Sequence, residues 1–125
     1  MYPKDVITDT PQKLVIADTI REKFFLLMRD EVPHSLGVQI EESTRRSKGL
    51  LYIKALVYIE RDSQKEIVIG KKGGILKLVG TQAREELEDL LETKVFLDLY
   101  VKTENNWRDD LSVLRELGYG DEGQF

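Results

Sequence analysis

The sequence predicts an α+β domain in which a three-stranded sheet carries its helices on one face. Three observations predict it. Leu51, Ile53, Ala55, Val57 and Ile59 alternate with Tyr52, Lys54, Leu56 and Tyr58, the two-residue period of a strand. The same alternation runs through Leu36, Val38 and Ile40, and Val95, Leu97, Leu99 and Val101 share one face of a third strand. Ile75, Val79, Ala83, Leu87 and Leu91 recur every four residues, which gives a helix with one apolar stripe. One apolar face per strand and one apolar side per helix suit a single layer of helices on a sheet.

Taken in order, residues 1–10 are polar, contain one proline and read as a linker or arm. Thr10 and Pro11 have the chemistry of an N-cap and a first helical position, and Leu14, Ala17, Ile20, Phe24 and Leu27 carry a helix to about Asp30. Val32-Pro33-His34-Ser35 ends it. A strand is expected over Leu36 to Glu42, a polar basic turn over Thr44 to Gly49, and the central strand over Leu51 to Ile59. Ile67-Val68-Ile69 has strand propensity, but its place before a glycine turn and a long helix favours a short helix from Ser63 to Ile69, capped by Asp62 or Ser63. Helix Ile75–Leu91 and strand Val95–Lys102 follow. A last short helix is expected over Leu111 to Leu117, stopped by Gly118, and 120–125 reads as a flexible tail. The folded domain is thus expected to span residues 11–119.

Composition narrows the function classes. The 125 residues suit one domain with a modest core. With no cysteine, disulfides, thiolate nucleophiles and Cys-zinc sites are excluded. His34 is the sole histidine and reads as a turn residue, so histidine-based catalysis has little material. Asp109-Asp110 reads as a helix cap, and the acids after Arg84 as a solvated face. No apolar run approaches the length needed to span a bilayer, and no apolar signal core follows Met1, so a cytoplasmic protein is the simplest expectation. No cofactor or metal is expected.

The chemistry concentrates at Ile67-Val68-Ile69-Gly70-Lys71-Lys72-Gly73-Gly74. Glycines permit a tight turn and close approach of a ligand to the backbone. The start of the next helix supplies free N–H groups and partial positive charge, and Lys71 and Lys72 add full charges. The formal net charge is −4, yet residues 43–84 hold ten Lys and Arg against three Asp and Glu. A local basic patch attracts phosphates even on an acidic protein, because salt confines fields to roughly 8–10 Å. Gly-x-x-Gly alone is a weak signal. Set in the order strand, short helix, loop, helix, strand, it resembles the minimal KH unit, whose GXXG loop clamps single-stranded nucleic acid. The additional helix and strand before that unit mark the type II arrangement.

The stretch 58–65 leading into Ile69-Gly70-Lys71-Lys72-Gly73, together with Ile20-Arg21-Glu22-Lys23, Glu31-Val32-Pro33-His34-Ser35, Trp107-Arg108 and residues 114–119, resembles the C-terminal KH domain of the Era family of bacterial GTPases. The likeness covers residues 2–119. It implies binding to the 3′ end of small-subunit ribosomal RNA during assembly of the small ribosomal subunit, a GTPase domain ahead of the KH domain, and a cytoplasmic setting with room for peripheral membrane association. No Gly-x-x-x-x-Gly-Lys-Ser/Thr loop occurs in the chain, so GTP hydrolysis is assigned to no residue here. An excised domain and a stand-alone relative both fit.

The expected mechanism is binding without chemistry. A single strand lies between the loop (Gly70, Lys71, Lys72, Gly73, Gly74 and Lys77) and the strand bearing Val38, Gln39 and Ile40. Ile67, Ile75 and Val38 support bases, and the backbone of Val38 to Ile40 reads their edges. The competing readings are a KH-like protein-interaction module and a KH domain of another ribosome-associated protein.

Overall fold

The alternations just described form their strands, and what decides the architecture is how the middle of the chain crosses from one strand to the next. The structure, a computed structural model, describes residues 10–28, 33, 35–47 and 49–104. In chain order these form α1 (Thr10–Met28), β1 (Gly37–Ser47), β2 (Leu50–Ile59), α2 (Asp62–Ile69), a 3-10 turn (Lys71–Gly73), α3 (Gly74–Leu91) and β3 (Lys94–Thr103). The helix expected over Leu111 to Leu117 and His34 lie outside the described residues.

The sheet order is β1-β2-β3. β1 and β2 form an antiparallel hairpin in which Val38 sits opposite Val57 and Ile40 opposite Ala55. β2 and β3 are parallel, with Leu50 opposite Lys94 and Ile59 opposite Thr103. A parallel pair cannot be closed by a tight turn, so the chain crosses over through α2, the 3-10 turn and α3. The three α-helices among the described residues lie on one face. Ile20 and Phe24 of α1, Ile53 and Val57 of β2, and Val79 and Leu87 of α3 are fully buried there. Each such side chain contributes about 1.5–3 kcal/mol relative to exposure.

Three local expectations are corrected. β1 continues to Ser47, through residues read from sequence as a turn; its register shifts at Glu41, and its far end is polar on both sides. Backbone pairing with β2 sustains the strand where apolar alternation has ended. In α1 the buried stripe is Ile16, Ala17, Ile20, Phe24 and Met28, rotated from the one expected, with Leu14 and Leu27 only partly covered. The N-cap of α2 is Arg61, not Asp62 or Ser63. Gln64 stabilises that helix start, its Oε1 accepting the N–H groups of Glu60 and Arg61, both at 3.0 Å. Ile67-Val68-Ile69 is helical because Val68 is fully buried in the core while Ile67 lies on the outer side. No helix among the described residues is long and apolar enough to cross a membrane.

Candidate nucleic-acid interface

α2 stops at Ile69 because Gly70 leaves the helical region. Its φ of 82° and ψ of 170° belong to glycine, and a Cβ at this position would lie 2.5 Å from Ile75 Cγ1 and 2.7 Å from the Ile75 backbone nitrogen. The N–H of Gly70 donates to the Glu66 carbonyl at 2.8 Å, and the N–H of Gly73 donates to the Gly70 carbonyl at 3.1 Å, so the chain reverses within four residues. Lys72 (φ 54°, ψ 31°) and Gly73 (φ 75°, ψ 15°) are successive left-handed residues, and Gly74 (φ −63°, ψ −39°) begins α3. A lysine held left-handed costs about 1–2 kcal/mol. The N–H of Gly74 donates in turn to the Lys71 carbonyl, so the loop presents its positive charge chiefly through the Lys71 and Lys72 side chains at the start of α3. Lys71, Lys72 and Lys77 are exposed, and no ion pair among the described residues engages any of them.

From this loop α3 runs back across β3, and α2 packs on β3 as well. β3 is an edge strand with β2 on its other side. Its helix-facing residues Leu97, Leu99 and Val101 are therefore only partly buried. A recess of about 320 Å³ opens between α3 and β3, lined by Leu76, Lys77, Gly80, Thr81, Arg84, Leu97 and Leu99. At its far end Arg84 donates to Glu88 at 3.2 Å, and the other Glu88 oxygen accepts the Val95 N–H at 2.9 Å. That N–H, helped by Arg84 and opposed by desolvation, holds the Glu88 carboxyl below its ordinary value. The recess is thus apolar on its strand side, polar on its helix side, and joined at one end to a cationic loop.

A KH domain family model matches residues 31–108. The chain belongs to the KH domain family. It is 54% identical over 122 residues to GTPase Era of Thermotoga petrophila, covering 97% of this chain and 41% of that protein. It is 49% identical over 118 residues to GTPase Era of Geotalea uraniireducens, covering 94% and 40%. Among solved structures, the crystal structure of a single-residue variant of Aquifex aeolicus Era bound to GDP·AlF4− superposes with a TM-score of 0.81 at 41% identity, covering 96% of this chain and 40% of that one. The structure of Era in complex with MgGDPNP and nucleotides 1506–1542 of 16S ribosomal RNA matches with the same TM-score, identity and coverage. The chain spans about two fifths of the length of these relatives, and the part it matches is the KH domain of Era.

Within this KH domain the structure brings Gly70, Lys71, Lys72, Gly73 and Gly74 together in one turn, with Ile75 and Lys77 on the first turn of α3 and Ile67 exposed on α2. It does not bring Val38, Gln39 and Ile40 to them. β1 is the opposite edge strand, with β2 between it and β3, and it lies under α1. The Val38 and Ile40 side chains are in the core, only 2% and 7% exposed. The Gln39 side chain accepts the Tyr58 hydroxyl at 2.9 Å. The strand beside the loop is β3. Apolar alternation cannot tell one sheet edge from the other, and Leu97, Leu99, Gly80, Thr81 and Arg84 escaped sequence reading for that reason. The signal that identifies β3 is topological, because the crossover of a parallel pair packs its helices back onto the strands it joins.

Proposed function

We propose that this chain binds single-stranded RNA across the GKKG loop and the α3–β3 recess, as the KH portion of an Era-type GTPase acting in the cytoplasm on the small ribosomal subunit. The observation that carries the reading is the geometry: a left-handed, lysine-bearing turn opens onto a half-covered apolar recess beside an edge strand. Lys71 and Lys72, at the N-terminal end of α3, hold phosphates, while Ile75, Leu76, Leu97 and Leu99 receive bases. The outer edge of β3, which pairs with no strand among the described residues, and not that of β1, reads base edges through its backbone. A KH groove of this kind takes about four nucleotides. The 16S ribosomal RNA segment held in the related Era complex supports the 3′ end of small-subunit RNA as the target. We further propose that residues 11–119 are the folded unit, flanked by an arm and a tail. GTP turnover belongs to the part of Era-type proteins that this chain does not match.

Anisotropy titration with single-stranded RNA and with duplex DNA tests this reading. Saturable binding of the single strand, weak binding of the duplex, and loss of the former in Lys71→Asp/Lys72→Asp are expected. Equal affinity for both nucleic acids, or an unaffected double variant, overturns it. Calorimetric titration with GTP and magnesium is expected to show no binding; saturable micromolar binding places nucleotide chemistry in this chain.

A further inference from the structure

Gly80 sits at the middle of α3, where a glycine is less stable than an alanine. The fold gives no reason for it. Its φ is not positive, and a Cβ there would meet nothing closer than Leu99 Cδ1 at 3.7 Å, an ordinary contact. Alanine would therefore fit the packing and strengthen the helix. What a side chain at this position would occupy is the recess itself, whose wall Gly80 shares with Leu97 and Leu99. One turn further on, Arg84 lines the same recess and is steadied by Glu88, which the Val95 N–H fixes in turn. A guanidinium offers five N–H donors in a rigid fork; Glu88 hydrogen-bonds Nη1, and Glu85 lies 3.9 Å from Nη2, an exposed ion pair too long for a hydrogen bond.

We propose that the missing side chain of Gly80 opens a pocket for a single RNA base, and that Arg84 selects there a base presenting two adjacent acceptors. Guanine (O6 and N7) and cytosine (N3 and O2) have such an edge, whereas adenine and uracil interleave donors with acceptors or offer lone acceptors. Leu97 and Leu99 take the base's apolar face, and Lys71 and Lys72 hold the backbone at the loop end. The inference rests on the α3–β3 recess being the RNA site.

The test uses a short single-stranded RNA varied one base at a time, titrated against the intact chain and three variants, with thermal melting of each. Gly80→Leu is expected to weaken all RNAs about tenfold by filling the pocket. Gly80→Ala is expected to melt above the parent and to bind more weakly. Arg84→Lys keeps the charge and loses the fork; it is expected to reduce the parent's preference for guanine or cytosine at one position, about tenfold for a bidentate pair, nearly to parity. A merely structural arginine would shift the melting temperature and leave base preference alone. Should Gly80→Leu fail to fold, Gly80→Ala and Arg84→Lys decide. Parent-like affinity in Gly80→Ala, or an unchanged base preference in Arg84→Lys, overturns the pocket while Lys71→Asp/Lys72→Asp still loses RNA. If that double variant binds as the parent does, the groove reading falls first and the pocket with it.

Discussion

The two edges of the sheet are built from the same alphabet and finished differently. At the β1 edge, α1 closes the layer and Val38 and Ile40 vanish into the core. At the β3 edge, α3 leaves Leu97 and Leu99 partly uncovered, and the recess remains. Completed burial stabilises the domain at the first edge; incomplete burial provides a binding surface at the second. The price of the open edge is apolar surface left in water, and exposed apolar patches on soluble proteins mark interaction sites.

Substitutions sharpen this contrast, in descending order of expected cost in stability. Phe24→Ala, on the closed side, removes a fully buried ring and should cost about 3–5 kcal/mol in denaturant unfolding. Whatever fraction stays folded should bind RNA as the parent does; selective loss of RNA binding would blur the distinction between the edges. Gly70→Ala strikes where loop and fold meet. The left-handed backbone and the contact with Ile75 should cost about 1–3 kcal/mol and distort the clamp, so melting and RNA titration should both change.

Lys71→Asp with Lys72→Asp, on the open side, should leave the fold intact, since aspartate tolerates the left-handed conformation of position 72 at least as well as lysine, and should abolish RNA binding. The parent's affinity should fall with log salt at a slope of about −1.5 to −2, since two or three phosphates contribute about −0.7 each. A slope several-fold steeper would mean binding through a diffuse basic surface. The smallest effect concerns Glu88. Its folded carboxyl lies below the ordinary 4.5, so its stabilisation is complete above that value and disappears as pH falls through the depressed one. Acid titration of Glu88→Gln should show a shallower loss of stability over that window; identical acid profiles would remove Glu88 as the anchor between α3 and β3.

Most of the architecture was legible because it is written in local periods. The alternation of β2 and the four-residue recurrence of α3 each fix an element without knowledge of its neighbours. Ile67-Val68-Ile69 shows the limit of propensity: a β-branched run is helical because Val68 is needed in the core and Gly70 must follow at the turn. The loop half of the candidate site was legible for the same local reason, since glycine and lysine act where they stand in the chain. The strand half was not. Whether β1 or β3 flanks the loop depends on sheet order, a property of the whole topology, and Gly80 and Arg84 acquire meaning only once β3 lies against α3.

The parallel pairing of β2 with β3 also sets when the clamp can exist. The hairpin of β1 and β2 joins neighbours in sequence, but Leu50 must find Lys94 and Ile59 must find Thr103 across the whole crossover. Closing so long a loop is slow and brings its stabilisation late. A chain still emerging from synthesis can therefore expose both loop lysines well before it owns a second wall, and until β3 is released and docked it should have charge for RNA but no means of discriminating among bases.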